Sequence, residues 1–412
     1  MLTRRHLLSL TGSAATMLAL GPARLALADA PTDARFVLAI QRGAMDGLHA
    51  VPPYGDPNYK AMRADLALPD NGAADGVLDL DGKFGLHPKL PELKAWYDRG
   101  ELAVVHAVAT PYRERSHFDG QDVLESGINR PGVVDSGWLN RALLALEPDG
   151  RVNPDGSRAI SVGAITPLVV RGQAPILSWA PQKLLPASED TQARLLDLYQ
   201  HTDPKLASAL QEQMRMAALG GAGVADPMSD DASLRPPGAA RIRAYFAEMA
   251  GAAARFLGKT DGPRVGALGF VGWDTHINEG AASGQLANLL GALDGALAAI
   301  EIGMGEAWRD TAVAVVTEFG RTARINGTDG TDHGTATVAF LAGGALRGGR
   351  VVADWPGLKP AQLYEARDLK PTTDLRAVLK GLLRDHLRVP ESALASSVFP
   401  DSADVRPIAG LV

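Results

Sequence analysis

The chain contains no cysteine among its 412 residues. This absence excludes disulfide bonds, thiolate metal ligands and a cysteine nucleophile, so stability must come from the core and from any bound metal. The sequence also lacks a G-x-S-x-G serine elbow and a glycine-rich nucleotide loop ahead of a helix. These absences argue against a metal-free serine hydrolase and against a nucleotide-binding protein.

Positive charge is in the minority, with 41 Lys and Arg against 47 Asp and Glu and a formal net charge of −6. A mildly acidic chain is a poor partner for nucleic acid, because binding to the phosphate backbone depends on basic surfaces. Hydrophobic residues make up 46% and charged residues 21%, which is typical of a soluble globular protein. We therefore expect no nucleic-acid partner.

The first thirty residues are predicted to be a targeting segment rather than part of the fold. A twin-arginine pattern, TRRHLL, begins at Thr3, and a short, weakly apolar run, Leu7–Leu20, follows it. Small-x-small cleavage patterns end at Ala28 and Ala30. We predict that residues 1–30 are a twin-arginine signal peptide, with an ordinary secretory signal as the alternative, and that the mature protein is periplasmic or secreted. The apolar run is too short for a stable membrane span.

Short β-branched runs alternate with helical stretches along the rest of the chain. The predicted strands are Ala34–Ile40, Leu102–Val108, Ile160–Val170, Val265–Gly269, Thr311–Thr317 and Thr335–Leu341. The predicted helices are Lys89–Arg99, Ser116–Leu124, Gln192–Leu219, Pro237–Leu257, Leu286–Met304 and Asp368–Val389. This alternation predicts an α/β fold, a three-layer α/β/α sandwich with a mostly parallel central sheet. Residues 31–412 are expected to form a single domain with a helical insertion around 190–260.

Polar side chains follow several of the predicted strands. Because ligands bind outside the carboxyl ends of the strands in open α/β sheets, side chains at these positions are candidates for one site. The set comprises Asp46, Ser116, Asp274, His276, Glu318, Arg321, Asp332 and His333. A salt-bridged turn with a surface histidine is the alternative interpretation.

Carboxylates and imidazoles in this set indicate a metal site. Asp274 and His276 lie two residues apart on an extended segment, so both side chains point the same way. His333, from a distant loop, would be a third ligand, and Asp332 beside it is a further candidate. Three protein ligands with an open position are typical of catalytic zinc. We predict a divalent metal, zinc first, with calcium, magnesium and manganese left open.

The chain resembles DUF1501, an uncharacterised family of bacterial proteins exported by the twin-arginine pathway. The matching stretches are RGAMDGLHAVPPY, RSHFDGQDVLESG, GWDTH, TEFGRTARINGTDGTDHG and PTTDLR. They are spread over nearly all of the mature chain. The family is grouped with the alkaline phosphatase and sulfatase superfamily. The resemblance therefore implies an alkaline-phosphatase-like sandwich, dependence on metal and a hydroxyl nucleophile at a helix N-terminus.

The resemblance implies a role for individual residues. Asp46 matches the metal aspartate after the first strand, and Ser116 matches the nucleophile, although a plain helix-capping serine is the alternative. Asp274 and His276 are similar to the aspartate–histidine metal pair of the superfamily, with a shorter gap between them. His333 is similar to the last metal histidine.

Two departures from the superfamily pattern concern the residues that follow the Thr311–Thr317 strand. Glu318 stands where an aspartate ligand is expected, and Phe319 replaces the histidine normally beside it. A single metal is therefore as compatible with the sequence as a pair. Arg321 is predicted to neutralise a substrate oxyanion through its bidentate guanidinium.

The leading functional hypothesis is metal-dependent hydrolysis of a phosphate or sulfate ester, with a small anionic ester as substrate. Ser116 or a metal-activated water would attack in line. Arg321, with Asp46 and Glu318, would stabilise the developing charge directly or through a second cation. His117 would donate a proton or brace its loop.

The second hypothesis belongs to a different class. The chain would be a catalytically degenerate envelope protein that keeps the fold and binds an anion, a glycan or a protein partner. Members of the family it resembles are often encoded beside another exported family, which implies an exported partner protein.

Overall fold

A computed structural model describes residues 33–146, 158–181, 189–220 and 238–412. The predicted signal peptide, residues 1–30, lies outside the described residues. Residues from Asp33 onward belong to one compact unit.

A central sheet of nine strands and a separate two-stranded hairpin are present in the described residues. The strands are β1 (Arg35–Arg42), β2 (Leu78–Asp79), β3 (Gly85–Leu86), β4 (Leu102–Ala109), β5 (Ala159–Val162), β6 (Ile176–Trp179), β7 (Val265–Val271), β8 (Thr311–Thr317), β9 (Thr337–Ala342), β10 (Arg350–Val352) and β11 (Thr373–Asp374). Strands β2 and β3 form the hairpin. The sheet order is β10-β4-β9-β8-β1-β7-β5-β6, with β11 paired to β4.

Every pairing in the described sheet is parallel except those of β9, which runs antiparallel to β4 and β8. In the centre, Phe36 of β1 lies opposite Val265 of β7 and Ala312 of β8. The carboxyl ends of β1, β4, β7 and β8 therefore share one edge of the sheet. The antiparallel β9 begins at that same edge, because residues 318–336 bring the chain straight back alongside β8 without a crossover helix.

The α-helices of the described residues are α1 (Gly47–Ala50), α2 (Tyr59–Arg63), α3 (Pro91–Arg99), α4 (His117–Ser126), α5 (Trp138–Ala145), α6 (Glu189–Thr202), α7 (Pro204–Gly220), α8 (Ala239–Leu257), α9 (Gln285–Met304), α10 (Leu375–Asp385) and α11 (Glu391–Ala393). Short 3₁₀ segments occupy Ala64–Leu66, Leu168–Val170, Gly305–Asp310 and Pro360–Gln362, and a π-helical turn occupies Leu394–Val398.

The two faces of the sheet are buried in two separate hydrophobic clusters. Along β1, Val37 and Ala39 belong to the cluster that contains α8 and α9. Phe36, Leu38 and Ile40 belong to the cluster that contains α5 and α10. Successive side chains of a strand point to opposite faces, so this division places helices on both sides of the sheet. The predicted α/β/α sandwich with a mostly parallel sheet is confirmed.

Helix α9 is the most apolar of the long helices. The segment Gln285–Asp310, which contains it, has a mean hydropathy of 1.4 in its most apolar window, enough by length and composition to cross a membrane. Leu286, Leu290, Leu293 and Leu297 of this helix are fully buried in the core. Such burial is the ordinary environment of a core helix in an α/β protein.

Two helices differ from their predicted bounds for local reasons. The stretch predicted as one helix, Gln192–Leu219, is divided at Asp203. The Asp203 side chain accepts hydrogen bonds from the backbone nitrogens of Lys205 and Leu206. Pro204 starts α7, since proline suits a first helical turn but lacks the donor that a helix interior needs. Helix α10 begins only after Asp374, which caps it through the backbone nitrogen of Arg376.

Candidate metal centre

Four side chains from distant parts of the chain converge at the carboxyl edge of the sheet. His117 opens α4, Asp274 and His276 follow β7, and His333 lies on the loop before β9. The Nε2 atom of His333 is 2.9 Å from the Nε2 atoms of both His117 and His276. Asp274 Oδ1 is 3.2 Å from His333 Nε2 and 3.0 Å from His276 Nε2. Asp274 Oδ2 is 3.4 Å from His117 Nε2.

Each imidazole is oriented from behind by a partner at Nδ1. The pairs are His117 with Glu318 (Nδ1–Oε1, 2.9 Å), His276 with Asp332 (Nδ1–Oδ1, 3.2 Å) and His333 with the carbonyl oxygen of Arg115 (Nδ1–O, 2.9 Å). All three partners are acceptors, so each Nδ1 donates its proton and leaves a lone pair on Nε2. A cation placed between His117, His333 and Asp274, whose ligand atoms all lie within 4.8 Å of one another, would satisfy the Nε2 lone pairs of both histidines. The donor set therefore fits a divalent metal.

Without metal, protons shared in hydrogen bonds link the same side chains. Hydrogen bonds with Asp274 and Glu318 raise the pKa of His117 to about 9. Burial opposes ionisation of Asp274, yet hydrogen bonds from His117, His333 and Arg321 hold the pKa of that carboxyl well below its usual range. Protons compete with metal ions for such atoms, so any metal affinity of this candidate centre would depend on pH.

Asp274 is held in place by Arg321, a fully buried side chain. Arg321 Nη1 donates to Asp274 Oδ1 over 2.5 Å, while Nε and Nη2 donate to the hydroxyl and carbonyl oxygens of Thr331. The guanidinium is thus committed to a metal-site carboxylate. This position differs from the predicted one, in which Arg321 faced a substrate oxyanion.

Glu318 and Asp332 were predicted among the ligands, and the structure places them behind the imidazoles instead. Glu318 is fully buried, and its Oε1 accepts from Gly43 N (2.9 Å) and Gln121 Nε2 (3.1 Å) as well as from His117. Asp332 Oδ1 accepts from Asn326 Nδ2 over 3.1 Å, and this bond is the main cause of a lowered Asp332 pKa. Neither carboxylate faces the converging atoms.

Asp46 lies in a second, buried polar group below the site. Its carboxylate accepts from the backbone nitrogen of His49 and forms an ion pair with the buried Arg63. Arg63 also lies 3.8 Å from the carboxylate of Glu279, and burial beside Asp46 raises the pKa of Glu279 to about 8. No contact in the described part of the chain joins Asp46 to the converging side chains, because a guanidinium already compensates its charge.

Ser116 occupies the N-cap position of α4, with extended backbone angles, but its side chain does not cap the helix. The backbone nitrogen of Ser116 donates to the phenol oxygen of Tyr112 over 3.2 Å, and the hydroxyl also contacts that phenol. The residue is half-buried and directly precedes His117. The plain helix-capping role is thus not the one seen here.

Two backbone features that position the site escaped prediction. Arg115 adopts a left-handed conformation (φ 60°), and its carbonyl oxygen accepts from His333 Nδ1. Gly43 (φ 120°) ends β1, where a Cβ atom would lie 2.7 Å from the backbone nitrogen of Asp274. The glycine in RGAMDG was visible in the sequence, but a left-handed arginine has no sequence signal.

Three solved structures with a similar chain path are a phosphonate monoester hydrolase, an alkaline phosphatase and a sulfatase. The phosphonate monoester hydrolase of Agrobacterium radiobacter is 13% identical, with 86% of this chain and 74% of that chain covered and a TM-score of 0.36. A mutant alkaline phosphatase of the Antarctic bacterium TAB5, with Mg bound, is 11% identical, with 75% and 90% covered and a TM-score of 0.35. The PsFucS1 sulfatase of Pseudoalteromonas sp. is 12% identical, with 79% and 65% covered and a TM-score of 0.34.

No curated protein matches this chain. The family model for proteins of unknown function DUF1501 matches residues 87–397. All four converging side chains lie inside the matched residues, whereas Asp46 lies outside them.

Proposed function

We propose that this chain, which belongs to the DUF1501 family of proteins of unknown function, is an exported metal-dependent hydrolase of phosphate or sulfate esters. The observation that carries the proposal is the convergence of the Nε2 atoms of His117, His276 and His333 with the carboxylate of Asp274. Export rests on the twin-arginine pattern that begins at Thr3.

The donor set favours zinc over calcium or magnesium. Three imidazole nitrogens and one carboxylate suit zinc, whereas the two harder cations prefer sites made of oxygen. Zinc bonds of about 2.0–2.1 Å in tetrahedral geometry would hold ligand atoms about 3.3 Å apart. Neighbouring donors are 2.9 to 3.4 Å apart. His117, Asp274 and His333 form a group whose ligand atoms all lie within 4.8 Å of one another, and His276 lies outside that group.

The ester class is supported by the surroundings of the centre. A divalent ion held there would lower the pKa of a nearby water or hydroxyl and favour its attack on an ester. Ser116 does not cap α4, and the N-terminus of that helix, which begins at the converging His117, would attract an anion. A helix N-terminus beside a cation is suited to a tetrahedral anionic group. Ser116 is the candidate nucleophile at that position.

The proposal is tested with the mature protein, residues 31–412, after loading with zinc, manganese or calcium. Bound metal is measured by elemental analysis, and turnover is measured on aryl phosphate and aryl sulfate esters. The variant Asp274→Asn is expected to lose stoichiometric metal and nearly all turnover, whereas Asp65→Asn, at an exposed carboxylate of the 3₁₀ segment Ala64–Leu66, is expected to behave like the wild type. Failure of the wild type to bind metal would refute the proposal.

The role of Ser116 is tested separately. If Ser116 attacks the ester, Ser116→Ala should lose turnover by several orders of magnitude and keep its metal. Unchanged turnover in that variant would assign the attack to a water and remove Ser116 from the chemistry.

The second hypothesis, a non-catalytic binding protein, is supported by the positions of Asp46 and Arg321. Asp46 is compensated by the buried Arg63 and Arg321 by Asp274, so neither supplies a second cation site or an oxyanion contact. A protein that binds metal stoichiometrically yet hydrolyses neither ester would support this hypothesis over the first.

A further inference from the structure

A cavity of about 660 Å³ lies at the same edge of the sheet as the metal centre. Arg42 of β1, Val162 at the end of β5 and Val271 at the end of β7 contribute to its walls. The carboxyl ends of parallel strands are where ligands bind in open α/β sheets. The volume is that of a site for an organic molecule rather than for a bare anion.

Helix α4 links this cavity to the metal centre. His117, Gln121 and Glu125 are spaced four residues apart, so they lie along one face of the helix, about 6 Å from one to the next. His117 belongs to the centre, while Gln121 and Glu125 line the cavity. Gln121 Nε2 donates to the same Glu318 oxygen that accepts from His117. The cavity wall is therefore one side chain away from the metal ligands.

A hydrogen bond and an ion pair hold the polar groups on this wall in place. Arg42 donates to Gln121 Oε1 over 2.5 Å and forms an ion pair with Glu125 over 2.5 Å. The side chain of Glu125 is only 3% exposed and that of Arg42 is 25% exposed. A buried carboxylate and its guanidinium thus present preformed donors and acceptors to the cavity.

The charges of the cavity select against a second anion. Arg42 and Glu125 compensate each other, and the remaining charged residues of the lining are Asp122, Asp135 and Arg171. This balance leaves one excess negative charge, which disfavours a carboxylate or a second ester anion. Val162, Val271 and Tyr245 add apolar surface beside the polar groups. Such walls suit a ring that has both hydroxyl groups and apolar faces.

We propose that this cavity binds the alcohol part of the ester, and that this part is a bulky, uncharged group with several hydroxyls. The inference rests on the proposed function, since the ester anion itself would lie at the metal centre. It makes Gln121 and Arg42 binding residues and predicts that esters of small alcohols are poor substrates.

The test fills the cavity without touching the metal centre. Ala164 is exposed and lines the cavity, so Ala164→Trp should occupy part of its volume and leave the fold intact. Ala74→Trp, at an exposed loop alanine outside the lining, is the matched control. Calorimetry with the zinc-loaded protein measures binding of a hexose monophosphate, a hexuronic acid monophosphate and inorganic phosphate, with the sulfate counterparts in parallel. Turnover of hexose and ethyl esters is measured in parallel with the calorimetry.

The expected result is that the hexose ester binds roughly tenfold more tightly than inorganic anion and than the hexuronic ester. In Ala164→Trp that advantage should be lost while inorganic anion binds as before, and any loss of turnover should appear in KM for the hexose ester only. Equal binding of all probes, or equal losses in both tryptophan variants, would overturn the inference. A protein that binds the hexose ester in this pattern but hydrolyses nothing would uphold the cavity assignment and refute the hydrolase.

Discussion

At the residue scale, the atoms behind the metal centre matter as much as those that face it. Glu318 is the most constrained of them. It is fully buried, and its two oxygens accept from a histidine, an amide, a backbone nitrogen and the hydroxyl of Thr317. These hydrogen bonds keep its pKa low in spite of burial, with the bond from His117 as the main favourable contribution. The carboxylate therefore remains charged and holds the His117 imidazole in the tautomer that a metal requires.

Replacement of Glu318 by glutamine should weaken metal binding by roughly 10- to 100-fold. The amide keeps the volume, but it removes the charge and sets an N–H group against the donors of Gly43 and Gln121. Competition with a chromophoric chelator measures the affinity. Glu306→Gln, at an exposed carboxylate, is the control and should bind metal as the wild type does. Equal affinity in the two variants would show that Glu318 does not orient the ligand.

At the element scale, the N-terminal turn of α4 is packed tightly against the end of β8. Gly120 lies on this turn, and a Cβ atom there would approach the Phe319 ring to 2.9 Å and Glu318 Cβ to 3.4 Å. The ring of Phe319 in turn stacks on His117, with centroids 5.0 Å apart. The glycine thus sets the distance between the helix that carries His117 and the strand end that orients it. Phe319 is a packing residue here.

A methyl group at Gly120 should therefore disturb both stability and the metal centre. We expect Gly120→Ala to lower the free energy of unfolding by about 1–3 kcal/mol through overpacking, and to weaken metal binding. Gly295, inside α9, has open space around the same position. Gly295→Ala should instead stabilise by about 0.5–1 kcal/mol, because alanine is the better helix former. Urea unfolding of both variants decides the matter, and a stabilised Gly120→Ala would contradict the packing argument.

At the scale of the whole molecule, three buried histidines away from the metal ligands are held neutral. Burial is the main cause of a lowered pKa at each, to about 4 for His49, about 3 for His87 and about 4 for His106. Each ring donates its Nε2 proton to a backbone carbonyl oxygen, that of Ala281 for both His49 and His87 and that of Val51 for His106. Above about pH 4, these rings are therefore protonated mainly in the unfolded chain.

Acid should destabilise the protein because these three histidines take up protons more readily in the unfolded chain than in the folded one. A histidine whose folded pKa lies below the unfolded value near 6.5 contributes stability that is complete above pH 6.5 and is lost as pH falls towards 4. We expect the urea midpoint to fall steadily between pH 6.5 and 4. In His106→Gln, which removes one titrating ring, the decline should be shallower, although the variant starts from a lower stability. A midpoint that is flat across this range would refute the account.

Several features of the fold follow from local patterns in the sequence. The β-branched runs that become β4 and β8 were predicted within one residue of their ends, because a continuous apolar run bounded by polar turns has few alternatives to a buried strand. The division at Asp203 and the late start of α10 after Asp374 escaped prediction. Each boundary depends on an aspartate side chain that caps the following helix. The periodic apolar pattern continues across each cap, so the pattern alone predicts a longer helix.

The sequence by itself determined that acids and histidines would gather at one edge of a parallel sheet, since strand ends and the residues after them are set by local apolar pattern and chain direction. Only the tertiary structure decided which of these side chains face one another. The His117 side chain lies among the converging atoms, whereas Glu318 and Asp332 contact the imidazoles from behind. Asp46 instead forms an ion pair with Arg63. The physical reason is that roles such as these depend on the direction of single hydrogen bonds between segments far apart in the chain, which residue spacing does not encode.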